Sequence, residues 1–191
     1  MIKKILNPVK YMQDKRLLLL NVFVFCLGTF LAMFCWVRFD GVLDLHFLSD
    51  YNPAVTLADN VTNCIILSLM LFGLGKIINS KTRLIDCLNT AFYSRIPFYL
   101  LCLTNLGGNM SRFSQQLLQN ISATTLHLTT KQYIYLGVIS VVSLLALVLS
   151  ISLLFNGFKV ATHAKKNKHY VFFGLAIILA EILSTLILKN L

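Results

Sequence analysis

The chain has 191 residues, 57% of them hydrophobic and only 13% charged, against about 25% charged in an ordinary soluble domain; its mean hydropathy is +0.75. Such a balance excludes a water-soluble fold, and five spans of about 20 residues each leave little chain for a separate soluble domain. The formal charge of +10 does not point to nucleic acid, because the basic residues flank apolar runs instead of sharing one solvated face; they read as juxtamembrane anchors, each contributing about 1 kcal/mol against anionic headgroups.

Residues 1–16 form a basic segment, with Lys3, Lys4, Lys10, Lys15 and Arg16 against Asp14, and with Pro8 as a helix breaker. Ile2, Ile5, Leu6, Val9 and Met12 recur at near-helical spacing, so part of this segment is expected to lie on the membrane face. The run behind it lacks a small-residue cleavage site and is read as a retained first span, 17–37. Residues 38–60 read as an acidic connection carrying Asp40, Asp44, Asp50 and Asp59, with Gly41 and Pro53 as breakers. Span two is expected over 61–78, followed by a short link with Lys81 and Arg83.

Span three, 84–106, holds Asp86, Asn89, Arg95 and Pro97, which are costly toward lipid and tolerable toward a bundle interior. Pro97 leaves the carbonyl of Tyr93 without its helical donor, so a kink is expected there. Between 107 and 131, Phe113, Leu117, Leu118 and Ile121 repeat at helical spacing and predict a short amphipathic surface helix. Span four, 133–155, is uncharged and begins at the interfacial aromatics Tyr133 and Tyr135. A basic connection with Lys159, Lys165, Lys166 and Lys168 leads to span five, 170–188, apolar except for Glu181. The fold expected is therefore all-α, a bundle of five transmembrane helices over 17–191 behind the basic segment.

Lys and Arg in short connections stay on the cytoplasmic side. Placing the N-terminus inside sends the basic opening, the Lys76 to Arg83 link and the Lys159 to Lys168 connection inward together, and the acidic connection and the C-terminus outward. Dropping span three would put the lysine-rich connection outside.

Glu181 in a span needs a partner, since an ionisable group there costs at least ~2.5 kcal/mol. Arg95 is the candidate, at a depth within ~5 Å along parallel spans. Two readings stand: a structural pair fixing helix register, or a polar site for a proton, ion or headgroup. Lys76 and Asp86 are expected to pair at the inner interface as a clamp. Lys159, Lys165, Lys166 and Lys168 are expected to contact lipid headgroups, with His163 and His169 beside them. Small residues mark packing faces: Gly28 and Ala32; Ser143, Ala146 and Ser150; Ala176, Ala180 and Ser184.

Cys26, Cys35, Cys64, Cys87 and Cys102 show no CxxC pairing and read as small core residues. His46, His127, His163 and His169 are too scattered to share a metal. No serine elbow, dinucleotide fingerprint, paired carboxylates or HExxH motif occurs, so neither an enzyme nor a cofactor is expected. Gly73-Leu74-Gly75-Lys76 lacks the Ser or Thr of a phosphate loop. Asn60-Val-Thr62, Asn109-Met-Ser111 and Asn120-Ile-Ser122 match the glycosylation pattern, which carries meaning only in a secretory-pathway protein.

Asn7-Pro8-Val9-Lys10-Tyr11 before the first span, Arg95-Ile96-Pro97 in the third and Gly157-Phe158-Lys159-Val160-Ala161-Thr162 after the fourth resemble bacterial members of the Yip1-domain family. The resemblance covers the whole chain in architecture. It implies a five-helix bundle with a cytoplasmic N-terminus, set in a bacterial cytoplasmic membrane. Eukaryotic members partner small GTPases and coat components through a long N-terminal region that is only about 16 residues here, so that role is not carried over. The expected role is membrane organisation by binding lipid, another membrane protein or a second copy. The rival is a transport protein in which Arg95 and Glu181 line a route past the Pro97 kink.

Overall fold

A computed structural model describes residues 8–48, 52–122 and 129–190, with the side chains of 119–122 left aside. In chain order it contains α1 (Pro8–Tyr11), α2 (Asp14–Phe34), β1 (Val37–Arg38), β2 (His46–Phe47), α3 (Pro53–Ile78), α4 (Leu84–Ser94), α5 (Ile96–Cys102), a 3-10 stretch (Leu103–Gly108), α6 (Asn109–Ser122), α7 (Thr130–Thr162) and α8 (Asn167–Leu188). Four helices, α2, α3, α7 and α8, are long and apolar enough to cross a membrane. Leu19, Phe30, Ile77, Val171 and many neighbours stand open on the outside of the bundle, an apolar surface far larger than a water-soluble monomer carries. The protein is an integral membrane helical bundle.

The third apolar segment is not one helix. It divides into α4 and α5 at Arg95, where Pro97 occupies the first turn of α5, the position where a missing N–H costs least. The kink expected from Pro97 is thus a break two residues earlier. Together α4 and α5 still run between the same two ends as the long helices. At one end Arg83 meets Asp14 of α2; at the other, Asn105 just beyond α5 donates to the Cys35 carbonyl beyond α2. The segment packs on α2, α3 and α7 and is the most enclosed of the set: Arg95 is the largest fully buried side chain.

Several boundaries move, each for a local reason. Pro53 starts α3, because Asn52 caps it by accepting from the Ala54 N–H at 3.0 Å and Pro fits the first turn. Asp59 and Asn60 therefore lie inside a helix and are buried, not in an acidic connection. Pro8 likewise begins α1. Helix α7 continues past 155 to Thr162 and stops at His163, which adopts φ 55°. Lys159 is thus helical, and the connection to α8 is short. The reading of Ile2, Ile5 and Leu6 on the membrane face, and those of Asp50 and His127, lie outside the described residues.

The small residues do set the close approaches. A Cβ on Gly28 would sit 2.2 Å from the Tyr99 ring, and one on Gly157 2.5 Å from Thr90. Ser150 donates to the Ser94 carbonyl at 2.6 Å, and Ala180 and Ser184 are fully buried. Of the cysteines, Cys35, Cys64, Cys87 and Cys102 are buried, while Cys26 faces outward. We predict that Gly28→Ala lowers stability by about 1–3 kcal/mol through overpacking, whereas Gly73→Ala, with open space around its Cβ position, is neutral or gains up to about 1 kcal/mol from helix propensity. Thermal unfolding of the two variants in one detergent measures the difference.

Candidate functional site: a loop gripped inside the bundle

The connection between α2 and α3 does not stay outside. β1 and β2 pair antiparallel, Val37 with Phe47 and Arg38 with His46, and the turn between them enters the bundle, burying Phe39, Gly41 and Val42. Val42 joins the apolar cluster of Leu67, Leu154 and Phe158; Phe39 joins that of Cys64, Phe98 and Tyr99. Irregular backbone at such depth is tolerable only if its polar groups find partners within the protein.

Side chains from α3, from α8 and from the α4–α5 junction supply them. Thr56 donates to the Val37 carbonyl at 2.6 Å and Asn63 to the Phe39 carbonyl at 2.8 Å. Ser184 accepts from the Val42 N–H at 3.2 Å. Arg95 donates through Nη1 to the Val42 carbonyl, and Glu181 accepts from the Leu43 N–H at 2.7 Å. These last two groups are the poles of one peptide unit. Every described peptide is trans, so that C=O and N–H point in opposite directions. Arg95 holds the negative pole and Glu181 the positive one.

The expected Arg95–Glu181 pair is therefore realised through a peptide and not as a direct ion pair. Arg95 stands seven residues before Cys102 and Glu181 seven before Leu188, so each lies ~10 Å from the end of its segment, with the loop wedged between them. Gly41 is what lets the loop lie there: a Cβ would fall 2.1 Å from Glu181 Oε1.

Arg95 is otherwise held by aromatic faces and an amide. Its Cζ lies 4.6 Å from the Phe39 ring centroid and 5.3 Å from that of Phe98, within cation–π range. Its Nε donates to Asn60 Oδ1 at 3.2 Å. Asn60 in turn donates to Thr29 at 2.7 Å and to the Tyr99 hydroxyl at 2.9 Å, tying α2, α3 and α5 together. Asn60, a glycosylation candidate by sequence alone, is fully buried and inaccessible to such chemistry. Above the loop, Arg38 bonds Asp59 at 3.0 Å and the Leu188 carbonyl at 3.1 Å. His46 Nδ1 meets Asp40. No group of His, Cys, Asp and Glu suited to a metal occurs among the described residues.

At the opposite end Lys76 and Asp86 do not pair. Lys76 donates to the Ser80 carbonyl at 2.7 Å. Asp86 is taken by Arg83, at 3.0 and 2.9 Å, and Arg83 also reaches Asp14 at 2.7 Å. Arg83, three residues before Asp86 at the start of α4, offers a planar fork matched to a carboxylate, which an ammonium lacks. The clamp exists with a different cation. Lys159, Lys165, Lys166 and Lys168 are all exposed at this end, and Lys159 stands over the Phe155 and Tyr170 rings at 5.6 and 5.8 Å.

The amphipathic helix is found as α6. Asn105, fully buried, accepts from the Met110 and Ser111 N–H groups at its start, and Ser111 donates to the Leu48 carbonyl at 2.8 Å. Phe113 packs edge-on against Tyr135, while Leu118 is open.

Comparison with family models, curated proteins and solved structures finds no match for this chain. The site is understood from its own geometry.

Arg95→Leu would orphan the Val42 carbonyl and Asn60 Oδ1, each worth about 1–3 kcal/mol when buried, so a loss of about 2–5 kcal/mol is expected. Glu181→Gln keeps an acceptor for Leu43 and costs about 1 kcal/mol, less than Glu181→Leu. Unfolding midpoints in detergent test this order; equal losses in the Gln and Leu variants would show that acceptance from Leu43 is not the role of Glu181.

Proposed function

We propose that this protein is a five-span, Yip1-like membrane organiser that acts by binding lipid or another membrane protein and neither catalyses nor transports. The single observation carrying this reading is the use made of its two intramembrane charges. Arg95 is 1% exposed and clasped by a carbonyl, an amide and two rings, while Glu181 holds the loop that closes the same end. A transport route through the bundle would need the Arg95 guanidinium facing water.

Counting α4 and α5 as the fifth span rests on their run between the two ends and on their enclosure. The same count gives the orientation. Lys10, Lys15, Arg16, Lys76, Lys81, Arg83, Lys159 and the lysines of the α7–α8 connection gather at one end, and by the charge rule that end is cytoplasmic. The C-terminus then lies on the outer side of a bacterial cytoplasmic membrane. The exposed lysines of that end and the aromatics under Lys159 suit an anionic headgroup layer, and the open apolar faces suit lipid or a helix of a partner or second copy.

Reporter fusions should place the N-terminus inside and the C-terminus outside. Crosslinking with mass spectrometry after mild extraction should recover a specific lipid or membrane protein. Vesicles carrying the protein should show no more proton or solute flux than empty ones. A flux in the wild type that Glu181→Gln abolishes would overturn the proposal in favour of transport.

A further inference from the structure

A cavity of about 530 Å³ opens at the basic end, between α1, the link after α3, the start of α4 and the end of α7. Its wall is apolar at Val9, Val160 and Ala161, and polar at Asn79, Lys81, His163, Arg83 and Asp86. The charges around it are unbalanced. Among the described residues of this end the carboxylates are Asp14 and Asp86, and both are bound to Arg83. The other cations have neutral company: Lys76 a carbonyl, Lys10 the Tyr11 ring, Lys159 two rings.

Asn79 is already used, its amide on the Thr162 carbonyl and its Oδ1 on the Lys81 N–H. It fixes the link in place beside the end of α7. That leaves the Lys81 ammonium and the His163 ring as the polar groups of the cavity without a side-chain partner among the described residues. A cation and a ring nitrogen over an apolar floor, at the level where a membrane's headgroups lie, match one chemistry: an anionic phosphate attached to a hydrocarbon.

We propose that this cavity seats the headgroup of one anionic phospholipid, its phosphate at Lys81 and His163 and its glycerol end against Val9, Val160 and Ala161. The inference rests on the membrane reading above and names a ligand for it. The site is distinct from the exposed lysines of the α7–α8 connection, which face the headgroup layer without enclosing any member of it.

The 191-residue chain is placed in nanodiscs of phosphatidylcholine with a minority of phosphatidylglycerol and released into native mass spectrometry. The wild type should retain one phosphatidylglycerol, and Lys81→Gln/His163→Gln should lower that retention about tenfold, as expected for losing two surface polar contacts. Lys165→Gln/Lys166→Gln/Lys168→Gln should lower the general anionic enrichment and keep the single bound lipid. Unfolding midpoints equal to wild type establish that both variants fold. Wild-type retention in the Lys81/His163 variant would overturn the seat while leaving lipid binding intact. Wild type with no preference for phosphatidylglycerol would overturn the seat and weaken the broader reading with it. Displacement of the lipid by millimolar inorganic phosphate would assign the site to a soluble anion and overturn the lipid as its occupant.

Discussion

One peptide group, between Val42 and Leu43, sets the terms for much of this bundle. A backbone carbonyl and N–H carried into the bundle by an irregular loop must each find a partner within the protein. Here the carbonyl is answered by a guanidinium and the N–H by a carboxylate. Each charge is in turn relieved of some of its burial cost by lying against the opposite end of a dipole. Neither ion would be stable at this depth alone, and neither pole of the peptide would be stable without an ion or an equivalent partner. The three groups form a unit whose members justify one another.

The surrounding structure follows from keeping that unit aligned. Arg95 points at the loop from the junction of α4 and α5, which is where the regular helix gives way. Pro97 favours the break by removing a donor from the next turn. Asn60 steadies the guanidinium and transmits the constraint to Thr29 and Tyr99. Tyr99 lies so close to α2 that Gly28 must be a glycine. On the other side Gly41 admits Glu181, and Ser184 occupies the remaining N–H. Arg38 and Asp59 then fasten the base of the hairpin to α3 and α8.

The apolar runs, the basic connections and the amphipathic α6 were legible in the sequence because they depend on composition and period, which a single chain displays directly. So were Arg95 and Glu181 as residues needing a reason, since an ion in an apolar run is conspicuous. What joined them was not legible. Residues 38–60 are polar enough to suggest a solvated connection, and only the folded chain shows Phe39 and Val42 turned inward. Pro53 suits a breaker and a helix start alike, and only the Asn52 cap decides for the start, which puts Asp59 and Asn60 inside α3. The Lys76–Asp86 pairing failed on side-chain geometry: proximity in the chain favoured both cations, and the fork of Arg83 decided between them.

The two ends of the bundle differ in how they are held. At the hairpin end the loop backbone is bonded to buried Thr56, Asn63, Arg95 and Ser184, while Arg38, Asp40 and His46 at its rim are partly open to solvent. At the basic end the one ion cluster, Asp14 with Arg83 and Asp86, is partly open to solvent, and exposed pairs contribute about 1 kcal/mol or less each. Local opening free energies track such differences. One end is thus held by a hairpin whose backbone is bonded to α3, α8 and Arg95, and the other by a single arginine shared between two carboxylates.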